Sequence, residues 1–466
     1  MKRGTWAERS CKQLKQSRSN KQNVHKRSIF QKSIAIILLF QMLCISIVPA
    51  VAFAEGEQTQ TKPPVKATAE SLGLEVSSAI LMEATTGQIL FEDNADVPLP
   101  PASMTKMMSE YIVAEQVKQG KLSWDEVVTV GEHASLTRGS RIFLAQGDQH
   151  TVEELYIAMA VGSANDATVA LAERVAGTEA EFVKMMNETA KEMGMKTAHF
   201  INSTGLDRGD MPEKYRPAGD DETVLSARDA AILAQRIVTD HPDFSKFTAI
   251  QQHYFRPRDK DPIINLNWML ESNESIPSFK RYAYKGLDGL KTGHTKAAGY
   301  CFAGTAERDG MRLISVVMGA KTEPQRFIQT KKVLDYGFEN FALKTVISPK
   351  STVEGTEKVK IKKGVKTEVP VVTQSNVNFV VPKNGNIGNI ESKVDIKSED
   401  ELVAPIQKEQ VVGTVTYTYN DGGAVQEKTV NLIATEDVDK GSWWRLFFRA
   451  IKDFFVDMFN GIKNLF

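Results

Sequence analysis

The chain of 466 residues predicts an α/β sandwich, an antiparallel sheet with a helical domain, followed by a small all-β region and a C-terminal amphipathic helix. Three observations carry this reading. Strand patterns stand at both ends of the stretch from Leu72 to about Leu343, with helical periodicity between them. After Ile347 the texture changes to short alternating runs, and the last 24 residues place their apolar side chains at helical spacing.

At the start of the stretch, Ala79 to Ala84 and Gln88 to Glu92 flank the turn Thr85-Thr86-Gly87. At its end, Ala298 to Ala306 and Met311 to Ala320 flank Asp309-Gly310, a hairpin signal because a two-residue turn of this type needs positive φ at both positions. Met104 to Glu115, Val152 to Val161 and Asp166 to Val175 carry apolar residues at helical spacing, with Gly162 interrupting the last two. Sheet segments from both ends with helices between them suit one sizeable core over residues 71–345. Beyond it, Lys358 to Ile361, Val394 to Ile396, Val411 to Tyr419 and Thr429 to Ile433, with the turn Asn420-Asp421-Gly422-Gly423, read as an all-β domain over residues 346–436. No reactive constellation lies there, so a spacer or docking role is expected of it.

The N-terminus reads as an export signal. Residues 1 to 32 hold ten Lys/Arg against Glu8 alone; the apolar run Ile34 to Phe53 and the small-residue site Ala52-Phe53-Ala54 follow. Cleavage after Ala54 would leave a tether over residues 55–70, polar and rich in Pro and Thr. The same run is long enough to stay as a membrane anchor instead. The full chain is neutral; without residues 1–54 it keeps 48 basic and 57 acidic residues, net about −9, and no nucleic-acid partner is suggested. Of three cysteines only Cys301 remains, so no internal disulfide is expected in an oxidising compartment; packing is its expected role.

In the tail, taken as residues 441–466, Phe447, Ile451, Phe454, Met458, Ile462 and Leu465 fall on one helical face with Trp444, Phe448, Phe455 and Phe459. Arg445, Arg449, Lys452, Asp453, Asp457, Lys463 and Asn464 fall on the other, and Leu446 and Val456 are exceptions. Aromatics beside basic residues describe a helix lying in a membrane interface, and a helix docked on the β domain or on a partner shares the same amphipathicity.

Three short motifs carry the chemistry. In Pro100-Pro101-Ala102-Ser103-Met104-Thr105-Lys106 the prolines end an extended stretch, so Ser103 falls at the mouth of a helix with Lys106 one turn on, on the same face. That juxtaposes a nucleophile and a base, and helix dipole and burial both favour the neutral amine a base must be. Ser163-Ala164-Asn165 sits at the break between two helices, where a loop can aim Ser163 and Asn165 into a cleft. Lys291-Thr292-Gly293 lies on a strand, where Gly293 would let a substrate backbone approach the edge. About two Ser-x-x-Lys matches are expected by chance in a chain this long, so the weight lies in the ordered combination. The seven histidines show no zinc-peptidase spacing, and Ser103 lacks the Gly-x-Ser-x-Gly setting of a Ser-His-Asp hydrolase.

In this order the three motifs resemble those of the penicillin-binding, active-site-serine acyltransferases, and within them the chain looks like a D-alanyl-D-alanine carboxypeptidase. More specific marks are Gly139 to Leu144, His199 to Leu206 and Asp288 to Thr295. Thr223 to Asp229 and the insert Asp207 to Asp221 depart from the family pattern. The resemblance covers the chain from about Ala69 onward and implies a β-lactamase/transpeptidase-like fold.

It further implies that Ser103 attacks the penultimate D-Ala carbonyl of a peptidoglycan stem peptide while Lys106 takes its proton. Ser163 and Lys291 would relay a proton to the leaving D-Ala, and Asn165 would hold the substrate amide. Thr292 would meet the terminal carboxylate, with Arg326 as a second contact or else a surface arginine. The backbone amides of Ser103 and His294 would hold the oxyanion, with no metal or other cofactor, and β-lactams would acylate Ser103. Alternatives are a β-lactamase, disfavoured because Asn202 to Leu206 contains no acid to activate water, or a non-catalytic protein that binds muropeptide or β-lactam in the same cleft.

Overall fold

In the computed structural model the described residues are 67–383, 390–420 and 425–463. The expected leader, most of the tether, residues 421–423 of the expected β turn and the last three residues of the tail lie outside them.

Five antiparallel strands form the central sheet. β1 (Ser78–Glu83) and β2 (Ile89–Asp93) are the first hairpin. The helical region comes next in the chain: α1 (Lys106–Lys118), β3 (Val127–Thr129), α2 (Glu132–Leu136), β4 (Gln149–Thr151), α3 (Val152–Gly162), α4 (Asn165–Ala176), α5 (Glu179–Glu192), α6 (Ala227–Asp240), α7 (Ser245–Thr248), β5 (Gln252–His253) and β6 (Ile263–Ile264). The sheet is completed by β7 (Leu287–Thr295), β8 (Gly299–Arg308) and β9 (Met311–Ala320), in the order β2-β1-β9-β8-β7. Thus β7 is an outer strand. Asp309 and Gly310 turn the β8–β9 hairpin with φ of 51° and 76°, the conformation the dipeptide predicts.

Both faces of this sheet are covered. Ile80, Met82, Ala303, Ile314, Val316 and Met318 face one way, into a core shared with Met104, Met107 and Met108 of the Ser103 segment and with Leu233 and Ile237 of α6. Their neighbours Ala79, Leu81, Phe302, Leu313 and Val317 face the other way, against Phe327, Val333, Leu334 and Phe338 of α8 (Glu323–Asn340). Strands buried on both sides read as continuous apolar runs, and all six residues of β1 are buried. A separate cluster holds the helical region, where Val152, Leu155 and Met159 of α3 pack on Val169 and Leu171 of α4. Thr151 caps α3 through a reciprocal capping box with Glu154.

The C-terminal part is all β. β10 (Phe341–Ile347) follows α8 directly, across the boundary expected at residue 346, and pairs with β13 (Val377–Pro382). β11 (Lys358–Lys360), β12 (Glu368–Thr373), β14 (Ile390–Ile396), β15 (Val411–Asn420) and β16 (Val425–Ala434) make a five-stranded sheet in the order β11-β12-β16-β15-β14. Alternate residues of β15, such as Val415, Tyr417 and Tyr419, are buried, as its period-2 pattern predicts. α9 (Trp443–Lys463) ends the described chain.

Candidate active site

The segment before α1 is a short 3-10 turn, Ala102–Thr105, rather than the first turn of an α-helix. It places Ser103 Oγ 3.0 Å from the Lys106 Nζ. Lys106 is fully buried and donates to the Thr204 carbonyl at 2.7 Å. Burial, then the charge of Lys291, hold its amine well below the ordinary lysine value, so the neutral, proton-accepting form is favoured. Ala102, just before the serine, has φ of 49°, an uncommon value for a residue with a side chain.

Gly205 and Gly293 explain how so tight a turn is held. A Cβ on Gly205 would lie 1.9 Å from the Ala102 carbonyl oxygen, and one on Gly293 would lie 2.4 Å from that of Pro101. Gly293 therefore lacks a side chain so that the Ser103 turn can press against β7.

Ser163 occupies the break between α3 and α4 in a left-handed conformation, φ 56° and ψ 33°. Its hydroxyl is buried and has no hydrogen-bond partner among the described residues. Asn165 is fastened on one side: its Nδ2 donates to Arg138 O at 2.6 Å and its backbone N–H to Ser140 O at 2.7 Å. Its Oδ1 is buried without a partner. Next to it, the Asp166 carboxylate accepts from the backbone N–H groups of Ile142 and Leu144, tying the expected Gly139–Leu144 mark to α4.

Lys291, Thr292, Gly293 and His294 lie together on β7, opposite Ala303, Phe302, Cys301 and Tyr300 of β8. Because β7 is an outer strand, alternate backbone groups point away from β8. Lys291 is buried, its Nζ only 3.5 Å from the Thr292 carbonyl, and burial pushes its amine down to about 8, with Glu110 opposing and Arg326 adding to the shift. The His294 ring is exposed and stacks on Tyr300, with ring centroids 4.0 Å apart.

Arg326 is not a surface arginine. It is 2% exposed on α8, donates to the Gly293 carbonyl at 3.4 Å and pairs with Glu323 at 2.7 Å. Burial lowers its guanidinium to about 10. Cys301 is completely buried in the sheet core as a free thiol, pushed up by burial to about 11.

Sequence reasoning gave no role to several residues that build the site. Asn202 Oδ1 accepts from the N–H groups of Thr204 and Gly205, at 3.1 and 2.7 Å, and so aims the Thr204 carbonyl at Lys106. Ser203 is held by Glu179, which accepts from its N–H and its hydroxyl, and His133 lies 3.3 Å from the same carboxylate. Glu110, buried on α1, belongs to none of the three motifs. Its spacing of four from Lys106 was the available signal.

A serine hydroxyl against a buried amine, on an α/β scaffold that gathers two further short motifs around it, defines a serine acyl-transfer enzyme. Residues 64–322 match the D-alanyl-D-alanine carboxypeptidase family, and residues 341–440 match the C-terminal domain of penicillin-binding protein 5. The chain belongs to that carboxypeptidase family. It is 34% identical to the D-alanyl-D-alanine carboxypeptidase DacF of Bacillus subtilis, over 91% of this chain and 98% of the relative. With DacC of Escherichia coli the identity is 33%, over 84% and 90%. Among solved structures, a peptidoglycan synthesis regulatory factor (PBP3) of Streptococcus pneumoniae superposes with a TM-score of 0.67 at 29% identity, covering 78% of this chain and 99% of that one. Penicillin-binding protein 5 of Haemophilus influenzae gives 0.60 at 31%, over 78% and 98%.

Proposed function

We propose that this serine D-alanyl-D-alanine carboxypeptidase trims the terminal D-Ala from peptidoglycan stem pentapeptides through an acyl-enzyme on Ser103. The observation that carries the assignment of residues is the 3.0 Å approach of Ser103 Oγ to a fully buried Lys106 amine. Ser103 Oγ attacks the penultimate D-Ala carbonyl, its proton passes to Lys106, and the C–N bond to the terminal D-Ala breaks. The departing amine takes a proton from the Lys291 ammonium by way of the Ser163 hydroxyl, whose lack of a partner among the described residues suits a relay. Backbone N–H groups of Ser103 and His294 hold the oxyanion. Asn165, with one side fixed and Oδ1 free, receives the substrate amide N–H. Thr292 and the Arg326 guanidinium supply hydroxyl and positive charge for the terminal carboxylate, Arg326 from behind the Gly293 carbonyl. Water then hydrolyses the ester and frees Ser103.

A β-lactam presents an acyl carbonyl to the same serine but keeps its leaving group tethered. Intact mass after exposure to benzylpenicillin should therefore show one covalent adduct, mapping to Ser103 and missing in Ser103→Ala. Folded protein with no adduct would remove the reading.

The catalytic region acts outside the cytoplasmic membrane, exported by the segment 1–54. We further assign α9 as an interfacial anchor. Trp443, Trp444, Phe448, Phe454, Phe455 and Phe459 are each more than half exposed, so the apolar face is not docked on the β domain. From its other side Arg449 donates to the Gly364 carbonyl at 3.0 Å. Among the described residues no helix is long and apolar enough to cross a membrane, which suits attachment along the surface.

A further inference from the structure

Phe143, on the loop between α2 and β4, is an aromatic that neither the core nor the proposed steps use. It is 73% exposed, while Ile142 and Leu144 on either side of it are buried. Its backbone is left-handed, φ 57°, a conformation that is costly for a residue with a Cβ and persists only where the surroundings impose it. Hydrogen bonds from both sides impose it here. The Asp166 carboxylate accepts from the N–H groups of Ile142 and Leu144 at 3.1 and 3.0 Å. The Arg256 guanidinium donates to the carbonyls of Ile142 and Phe143 at 2.9 and 3.3 Å. Together these bonds hold a large apolar ring out in solvent, where it gains the free protein nothing from burial.

A cation accompanies the ring. The Arg141 guanidinium lies 4.8 Å from the Phe143 ring centroid. Arg141 is itself exposed and forms no ion pair among the described residues. Residues 137–147 contain two arginines, Arg138 and Arg141, and no acid.

The same loop builds the place assigned above to the substrate amide. The Arg138 and Ser140 carbonyls accept from the side chain and backbone of Asn165 at 2.6 and 2.7 Å. A Cβ on Gly139 would lie 2.6 Å from Asn165 Nδ2 and 3.3 Å from the Leu206 side chain, so loop and asparagine are in contact. Arg141 follows Ser140 directly and Phe143 stands three residues on, a span of at most about 11 Å. The amide N–H that Asn165 Oδ1 receives belongs to the penultimate D-Ala, and the stem residue before it is bonded to that same nitrogen. A long side chain on that residue reaches this loop.

We propose that Arg141 and Phe143 form a specificity site for the stem residue preceding the penultimate D-Ala, and that the site takes a long aliphatic side chain ending in a carboxylate. The methylenes lie on the Phe143 ring and the carboxylate meets the Arg141 guanidinium, whose fork of N–H donors matches it. A side chain ending in an ammonium meets like charge instead. The inference rests on the acyl-enzyme reading and the Asn165 contact above, and adds which stems such an enzyme prefers.

The test is kcat/KM for release of D-Ala from N-acetylated tripeptides ending in D-Ala-D-Ala, with L-2-aminoadipate, L-norleucine, L-lysine or L-alanine in first place. On the unmodified protein aminoadipate should exceed lysine by about fivefold, the upper worth of an exposed ion pair. Norleucine should exceed alanine by about fourfold, the worth of one buried methylene. Arg141→Gln should bring aminoadipate and lysine together and keep norleucine above alanine, and Phe143→Ala should remove the advantage of norleucine. No preference for aminoadipate in the unmodified protein, or the same preference in Arg141→Gln, would overturn the carboxylate assignment. An unchanged ratio of norleucine to alanine in Phe143→Ala would overturn the role of the ring.

A measurement on the unmodified protein alone stands beside the variants. Raising salt from about 20 mM to about 500 mM should press the ratio of aminoadipate to lysine toward one, because exposed charges are screened, and a ratio that salt does not move would also overturn the carboxylate assignment. Failure of the underlying reading looks different: the unmodified protein would then hydrolyse none of the four peptides and form no benzylpenicillin adduct at Ser103.

Discussion

Lys106 and Lys291 are both pushed below the ordinary lysine value by burial, yet the proposed steps ask opposite things of them. Lys106 must be neutral, so activity rises with pH as its lowered pKa is passed. Lys291 must be protonated, so activity falls as pH climbs through about 8. The profile of acylation should be a bell with its alkaline limb near that value, and benzylpenicillin acylation at about pH 10 should be tenfold or more slower than at neutrality. A rate that keeps rising to pH 10 would mean Lys291 acts without its proton. Lys106→Ala and Lys291→Ala should each slow acylation by ~10²–10⁴, the worth of a general acid–base step, with the melting transition still cooperative. Near wild-type acylation in Lys106→Ala would place the base elsewhere. Both lysines were legible in the sequence because each belongs to a short motif with its own spacing. Asn202 and Thr204 were legible only as members of the run His199 to Leu206, without a role, and Glu179 not at all, because they act through a backbone carbonyl, a turn and a second layer that exist only once α5 and the loop after it pack behind α1.

Elements show the same division. β1, β2, β8 and β9, and helices α3 and α4, were readable to within about two residues from apolar period and turn chemistry. What could not be read was which glycines hold elements together, since that depends on what stands opposite each missing Cβ. Gly205 and Gly194 make the contrast testable. Both have left-handed backbone, φ 78° and 77°, but a Cβ at Gly205 strikes the Ala102 carbonyl, whereas at Gly194 nothing lies within 4 Å. Gly194→Ala should cost only the conformational penalty, about 1–2 kcal/mol, and leave acylation intact. Gly205→Ala must also displace the backbone of the Ser103 turn, so its melting loss should be larger and its acylation by benzylpenicillin slower by at least tenfold. Equal effects on both measurements would mean that the turn does not depend on the Gly205 contact.

On the scale of the whole molecule, the site residues and the proposed anchor α9 are separated along the chain by the β region, and this separation is what a deletion can examine. The site residues end at Arg326, and the β region from Phe341 to Ala434 comes before α9. Removing residues 443–466 should therefore release the exported protein from membranes while hydrolysis of a soluble D-Ala-D-Ala peptide continues at the wild-type rate. Binding should come mainly from apolar burial. Arg449 is engaged by the Gly364 carbonyl, and Arg445, Lys452 and Lys463 are partly offset by Asp453 and Asp457. Several exposed aromatics at ~25 cal/mol per Å² outweigh the ~1 kcal/mol expected of each interfacial basic residue. High salt should thus weaken attachment only in part, whereas Phe454→Asp combined with Phe455→Asp should abolish it on vesicles. Complete release by salt alone would make the anchor electrostatic instead. The N-terminus must be determined in the same experiment: if the mature chain starts at Glu55, α9 is the attachment under test, and if the apolar run Ile34 to Phe53 is retained, the deletion variant will stay on the membrane through its other end.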